Sequence, residues 1–241
     1  MNATVEKASQ LKTNLAAVRA QISASALRSG RNPQDVRLIA VSKTHPAEVL
    51  RLAVAAGALD LGENRVQEAA GKIAALDREV ARWHLIGHLQ ANKARQAAQL
   101  FDMIHSVDSL SLALRLERIC GEEQRLELPV LIQVDLGDEV TKTGIPEGEL
   151  PALIEAVVGC KHLRLRGLMT IPPYFAEVEA VRPYFRRLRE LRDEWQRREA
   201  FGVQGGELSM GMSHDFPVAI EEGATMVRVG TAIFGERYKP V

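Results

Sequence analysis

Eight short apolar runs recur along the chain with helical patterns between them, and this alternation limits the fold more than any single residue does. The runs span 36–43, 58–64, 83–88, 103–108, 129–135, 165–171, 207–212 and 226–234. Helical periodicity covers 46–56, 66–80, 92–100, 110–123, 147–158, 177–198 and 216–222. Strands that alternate with helices join as parallel βαβ units. A run such as Val36-Arg37-Leu38-Ile39-Ala40-Val41 is nearly continuous in apolar residues, which suits a strand covered on both faces. Eight of them fit a closed barrel.

The expected fold is therefore α/β, a single (β/α)8 TIM-type barrel over 1–241 with an additional N-terminal helix. Seven residues follow the last run, too few for a closing helix. The chain instead opens with an amphipathic segment over 3–28 that ends at Ser29-Gly30. This helix is expected to fill the gap between the last strand and the first. An open doubly wound sheet is the competing architecture. No Gly-x-Gly-x-x-Gly turn follows the first run, which weakens its dinucleotide-binding form.

Composition excludes several partners. Lys+Arg and Asp+Glu are 31 each, and a net charge of zero argues against nucleic acid, whose binding domains are usually basic. The first residues hold no apolar leader, and no stretch approaches a membrane span. Cys120 and Cys160 lack metal-type spacing, so free thiols and a cytoplasmic location are expected.

In such a barrel the residues that end the strands share one mouth, where the chemistry is placed. They include Lys43, Glu63, Asn64, His88, Ser106, Asp108, Asp135, Thr170, Ser209 and Gly230. Lys43 closes the first run, where desolvation would lower its pKa and make it an amine nucleophile toward a carbonyl. A lysine that merely reaches solvent at a strand end fits the same pattern. The turns Ser209-Met210-Gly211-Met212-Ser213 and Gly230-Thr231 end the seventh and eighth runs, where barrels often bind phosphate. They would serve equally as tight turns needing glycine for its backbone freedom. Arg228 shares a strand face with Gly230. It faces the mouth, or pairs within the core with Asp60 or Glu207. His84 and His88, four apart on a strand, do not make the one-turn metal pair of a helix. Asp138-Glu139 and Glu221-Glu222 read as solvated surface, as does the charged stretch 186–198.

Taken together, the motifs resemble the pyridoxal phosphate homeostasis protein family. The similarity lies in Val41-Ser42-Lys43-Thr44, Gly62-Glu63-Asn64-Arg65-Val66-Gln67-Glu68 and the segment 83–93. It continues through 166–173, 208–213 and 227–235, in order over nearly the whole chain. That family is similar to the N-terminal barrel of bacterial alanine racemase. The resemblance implies that Lys43 forms a Schiff base with pyridoxal 5'-phosphate (PLP) and that Ser209, Gly230 and Thr231 hold its phosphate. It also implies that Arg228 approaches the pyridine nitrogen and that Asn64 lies near the ring. The segment 135–142 follows the family's lysine-containing loop only loosely, and the basic C-terminal end is reduced to Arg237 and Lys239. Whether Lys142 or Lys239 is a secondary acceptor stays open.

A carboxylate beside the pyridine nitrogen keeps it protonated and makes the ring a strong electron sink. An arginine only donates and does not. The expected function is thus PLP binding, storage or delivery without substantial turnover, with PLP and apo PLP-dependent enzymes as partners and a monomer as the working unit. A PLP-dependent amino-acid racemase is the alternative. It needs acids or bases on both faces of the substrate, and alanine racemase takes its second base from a further domain for which 241 residues leave no room. A Schiff-base aldolase would use Lys43 without the ring-nitrogen partner.

Overall fold

The computed structural model describes residues 2–137 and 143–235. Its strands are β1 (Arg37–Val41), β2 (Asp60–Glu63), β3 (Arg82–Leu85), β4 (Met103–Val107), β5 (Leu128–Asp135), β6 (Ile145–Pro146), β7 (Leu163–Met169), β8 (Glu207–Met212) and β9 (Met226–Val229). All pairings are parallel. The order β4-β3-β2-β1-β9-β8-β7-β5 closes through a β4–β5 pairing, which makes an eight-stranded barrel. The short β6 lies outside that ring against the end of β5, at Val134 and Asp135. No sequence pattern announced it. Pro146 has no N–H to donate, so such a strand survives only at an edge.

The helices are α1 (Asn2–Arg28), α2 (Ala47–Ala55), α3 (Val66–Leu76), α4 (Ala94–Leu100), α5 (Leu110–Glu122), α6 (Leu150–Val158), α7 (Arg182–Arg197), α8 (Phe216–Glu221) and α9 (Thr231–Phe234). Several are shorter than their patterns. The expected helix over 66–80 stops at Leu76, because Asp77 turns to φ 84° before a 3-10 turn over Arg78–Val80.

The N-terminal helix does what its pattern predicts. Leu11, Leu15, Val18, Ile22 and Ala26 are spaced three or four apart, so they share one face, and all five are buried. That face packs on α2, α8 and α9, spanning the gap between β9 and β1. Lys7 and Asn14 donate to the carbonyls of Phe234 and Ile233 at 3.2 and 2.8 Å, tying α1 to the chain beyond β9.

The run 226–234 needs a correction. It is not one strand: β9 ends at Val229, and Gly230 opens α9, its carbonyl accepting from Ile233 and Phe234 N–H. A short apolar run cannot be told from a buried helix turn by periodicity alone.

Inside the barrel Ile39, Met103, Leu131, Met169 and Met226 form a separate apolar cluster. Side chains two apart on a strand share a face. Hence His105 joins Met103, and Arg228 joins Met226, on the interior side. Buried Asp60, His84, Ser209 and Gln133 complete a polar interior that is uncommon for a barrel packed mainly with branched apolar residues.

Candidate functional site

The six residues singled out by sequence fall on four consecutive strands of the ring, β8, β9, β1 and β2 or the turns that follow them. Lys43 follows β1 and is half-buried. Gly230 follows β9, next to β1, and a Cβ on it would come within 3.2 Å of the Val41 carbonyl. Lys43 and Gly230-Thr231 therefore leave adjacent strands at the same end.

The backbone on either side of Lys43 is held by Glu63, Glu68 and Lys72, of which sequence reasoning named only Glu63 as a mouth residue. Lys72 is buried on α3 and donates to the Ser42 carbonyl at 2.8 Å, to Glu63 Oε1 at 2.7 Å and to Glu68 Oε1 at 2.6 Å. The Ser42 hydroxyl donates to Glu63 at 2.6 Å, and Thr44 N–H donates to Glu68 at 2.5 Å. Thr44 sits at φ 68°, a conformation in which a β-branched residue is an outlier. The Glu63–Lys72–Glu68 ion triad thus fixes a strained turn around Lys43. Burial raises the Glu63 pKa even though Lys72 and Ser42 oppose it. For Glu68 burial pushes upward too, but the bonds from Lys72 and Thr44 outweigh it and lower the pKa. One signal was available in the sequence: Lys72 interrupts the apolar stripe Val66, Ala69, Ile73, Leu76 and stands four residues after Glu68.

Asn64 follows β2. Its Oδ1 is buried with no hydrogen-bond partner among the described residues, and an orphaned acceptor of this kind suits a ligand donor. Gly87 makes room for it, since a Cβ there would lie 2.3 Å from the Asn64 carbonyl.

Arg228 is 3% exposed. It donates to the Ser209 hydroxyl at 2.7 Å and to the Thr170 carbonyl at 2.8 Å. The pairing with Asp60 or Glu207 that the sequence left open is not made. Asp60 instead accepts from Arg82 at 2.7 and 2.8 Å and lies 2.9 Å from His84 Nε2. Burial lowers the Arg228 pKa to about 10, with Asp215 pulling the other way.

Ser209 is fully buried, its hydroxyl shared between Arg228 and His105 Nδ1. Four residues on, Ser213 Oγ accepts from Gly230 N–H at 3.2 Å, which joins the turns after β8 and β9. Gly211 permits that turn: it has φ 90°, and a Cβ would meet Ala219 Cβ at 2.5 Å. Thr231 is exposed beside it.

Elsewhere at the mouth, His88 Nδ1 and Asp108 Oδ2 are 3.1 Å apart, a pair that the sequence named only singly. His45 stacks on Phe234 with centroids 4.9 Å apart. Glu222 corrects the expectation of solvated surface. It is 5% exposed beneath Arg182, Arg186 and Arg189, while Glu221 pairs with Arg28 and Arg182. Asp138, Glu139, Lys142, Arg237 and Lys239 lie outside the described residues.

The family model for the alanine racemase N-terminal domain matches residues 13–238. Among curated relatives, the pyridoxal phosphate homeostasis protein of Aquifex aeolicus (strain VF5) is 47% identical over 210 residues, which is 87% of this chain and 91% of that one. The protein of the same name from Pseudomonas aeruginosa is 47% identical over 232 residues, covering 95% and 96%. The chain belongs to the pyridoxal phosphate homeostasis protein family. Among solved structures, PipY of Synechococcus elongatus PCC7942, with PLP bound, superposes with a TM-score of 0.82 at 43% identity, covering 94% of this chain and 100% of PipY. Alanine racemase from Corynebacterium glutamicum, 18% identical with a TM-score of 0.65 over 92% of this chain and 62% of its own, shares the fold.

Proposed function

We propose that this chain binds PLP through Lys43 and holds it for storage or delivery within the cell rather than using it to turn over amino acids. The observation that carries the second half is Arg228, a buried donor with no carboxylate bonded to it. When bound, PLP supplies an aldehyde for a lysine amine, a phosphate for an anion site and a ring whose electron demand depends on its nitrogen's partner.

The residues fit that group. Lys43 is the amine, held in place by Lys72, Glu63 and Glu68 through the backbone of Ser42 and Thr44. The hydroxyls of Ser213 and Thr231 and the backbone at Gly230 gather at the turns where an anion would be met. Ser209 was expected among the phosphate donors. With its hydroxyl already shared by His105 and Arg228, it is better suited to hold Arg228 than to reach a phosphate. Asn64 leaves its Oδ1 unpaired, an acceptor suited to a donor that PLP would bring.

Arg228 presents donors only, so a pyridine nitrogen meeting it stays an acceptor and is not kept protonated. A 43%-identical relative solved with PLP bound supports the binding half of this proposal. A cytoplasmic monomer that gives PLP to apo PLP-dependent enzymes completes the reading. The described residues hold no helix long and apolar enough to cross a membrane, and Cys120 and Cys160 are both free. The test is to load the full chain with PLP, confirm the visible band, and follow both amino-acid turnover and transfer to an apoenzyme. Binding and transfer without turnover support the proposal. Turnover at an ordinary enzyme rate overturns it in favour of a racemase.

A further inference from the structure

Five side chains, one from each of β2, β3, β4, β8 and β9, are bonded end to end through the barrel interior. His84 Nε2 lies 2.9 Å from Asp60 Oδ1, and His84 Nδ1 lies 3.0 Å from His105 Nε2. His105 Nδ1 lies 2.9 Å from Ser209 Oγ, to which Arg228 donates at 2.7 Å. None of the five is more than 5% exposed.

The two ends settle where the protons are. An ionised carboxylate only accepts, and a guanidinium only donates. Asp60 must therefore accept from His84 Nε2–H. With His84 neutral, its Nδ1 is an acceptor and His105 must donate from Nε2. His105 Nδ1 is then an acceptor for the Ser209 O–H. That leaves a Ser209 lone pair for Arg228, and every atom in the line has one role. A second proton on His84 would reverse the line beyond it. His105 would then donate from Nδ1, and the Ser209 oxygen would face two donors with its own proton turned away.

We propose that this line is the device that positions Arg228: Asp60 orders His84, His84 orders His105, and His105 fixes the Ser209 hydroxyl that grips the guanidinium. The proposal rests on the reading that Arg228 meets the ring of bound PLP. Together with the Thr170 carbonyl on the other terminal nitrogen, 2.8 Å away, Ser209 fixes the guanidinium at two points. A direct carboxylate partner would grip as firmly but would cancel the charge. The line of neutral groups holds Arg228 in place and leaves its charge to the mouth.

The surrounding charges favour this proton arrangement. Burial drives the His105 pKa well below 6.5, and the charges of Arg228 and of Arg37 on β1 push it further down. Burial would raise the Asp60 pKa, but its bonds to His84 and Arg82 bring it to about 2. Asp215, ahead of α8, is the one charge among the described residues that acts on Arg228 in the opposite sense to burial, favouring its protonated form.

The test begins with the apo full chain, so that it does not depend on where PLP binds. Long-range ¹H–¹⁵N NMR of the histidine rings at neutral pH is expected to show His84 and His105 neutral and protonated at Nε2. A proton on His105 Nδ1 or a doubly protonated ring in either residue overturns the proposal. The second measurement follows the Arg228 Hη resonances, expected to be resolved in the native chain and averaged by rotation in Ser209→Ala and His105→Phe. Ser209→Thr, which keeps the hydroxyl, is expected to restore them. In the loaded protein Ser209→Ala is expected to lose roughly tenfold in PLP affinity, about one neutral hydrogen bond, and to shift the visible band. Unaltered Hη resonances in both Ser209→Ala and His105→Phe would refute a positioning role. Expected tautomers and Hη signals in a chain that does not bind PLP would instead refute the proposed function and leave the line standing.

Discussion

Arg228 and Asp60 show how much single buried charges decide here. Asp60 is 5% exposed, and its pKa falls from 3.8 to about 2. A depressed carboxylate contributes stability that is present above its unfolded pKa and lost as pH falls through the folded one. A shift of that size corresponds to about 2 kcal/mol. Asp60→Asn is therefore expected to be about 2 kcal/mol less stable than the native chain at pH 7, and the gap should close as pH falls from 3.8 toward 2. Urea unfolding at several pH values measures this, and a gap that is constant down to the acid limit would contradict it. His105 acts with the same sign over a higher window, because a buried neutral imidazole loses stability as pH falls below 6.5. Glu63 acts oppositely, since its raised pKa makes protonation favourable to the fold as pH drops. At the mouth, Thr231→Glu is expected to eject PLP by repulsion of its phosphate. PLP absorbance retained after gel filtration at native occupancy would show that the phosphate lies elsewhere.

The helix α1 was legible because its apolar face recurs at helical spacing. Leu15 is 1% exposed within that face. Leu15→Ala is expected to cost about 2–5 kcal/mol by lost burial and a cavity, read as a lower denaturant midpoint. A change within a few tenths would mean that α1 is not docked. The strands were equally legible, since continuous apolar runs survive only where both faces are covered. Element ends were not. Asp77 and Gly230 break their elements through backbone torsions that no hydrophobic pattern records, and β6 exists only because β5 offers it an edge. At the site, Lys43, Asn64, Arg228 and Gly230 could be named because they end or interrupt strands. The groups that hold them were hidden for a different reason. Lys72 left one local trace, four residues after Glu68, but its bond to the Ser42 carbonyl and the His84–His105–Ser209 contacts join residues 21 or more apart, which leave no local spacing to read.

At the scale of the whole molecule, the barrel brings β8, β9, β1 and β2 side by side, so one end of the chain's sequence meets the other at the mouth. Such an arrangement can bind a small cofactor without any moving part. The protein is expected to bind PLP and release it to an acceptor while turning over no amino acid at an ordinary enzyme rate, of order 1–10³ per second. The His88–Asp108 pair can move a proton, so any trace activity should fall in His88→Ala, and activity unaffected by both that change and Lys43→Ala would belong to a contaminant. The central claim is that Lys43 carries the cofactor. It is tested most directly by reducing the PLP-loaded full chain with borohydride and mapping the modified peptide by mass spectrometry. The label is expected on Lys43 and should be lost, with the visible band, in Lys43→Ala; a label on another lysine with Lys43 unmodified would contradict the claim.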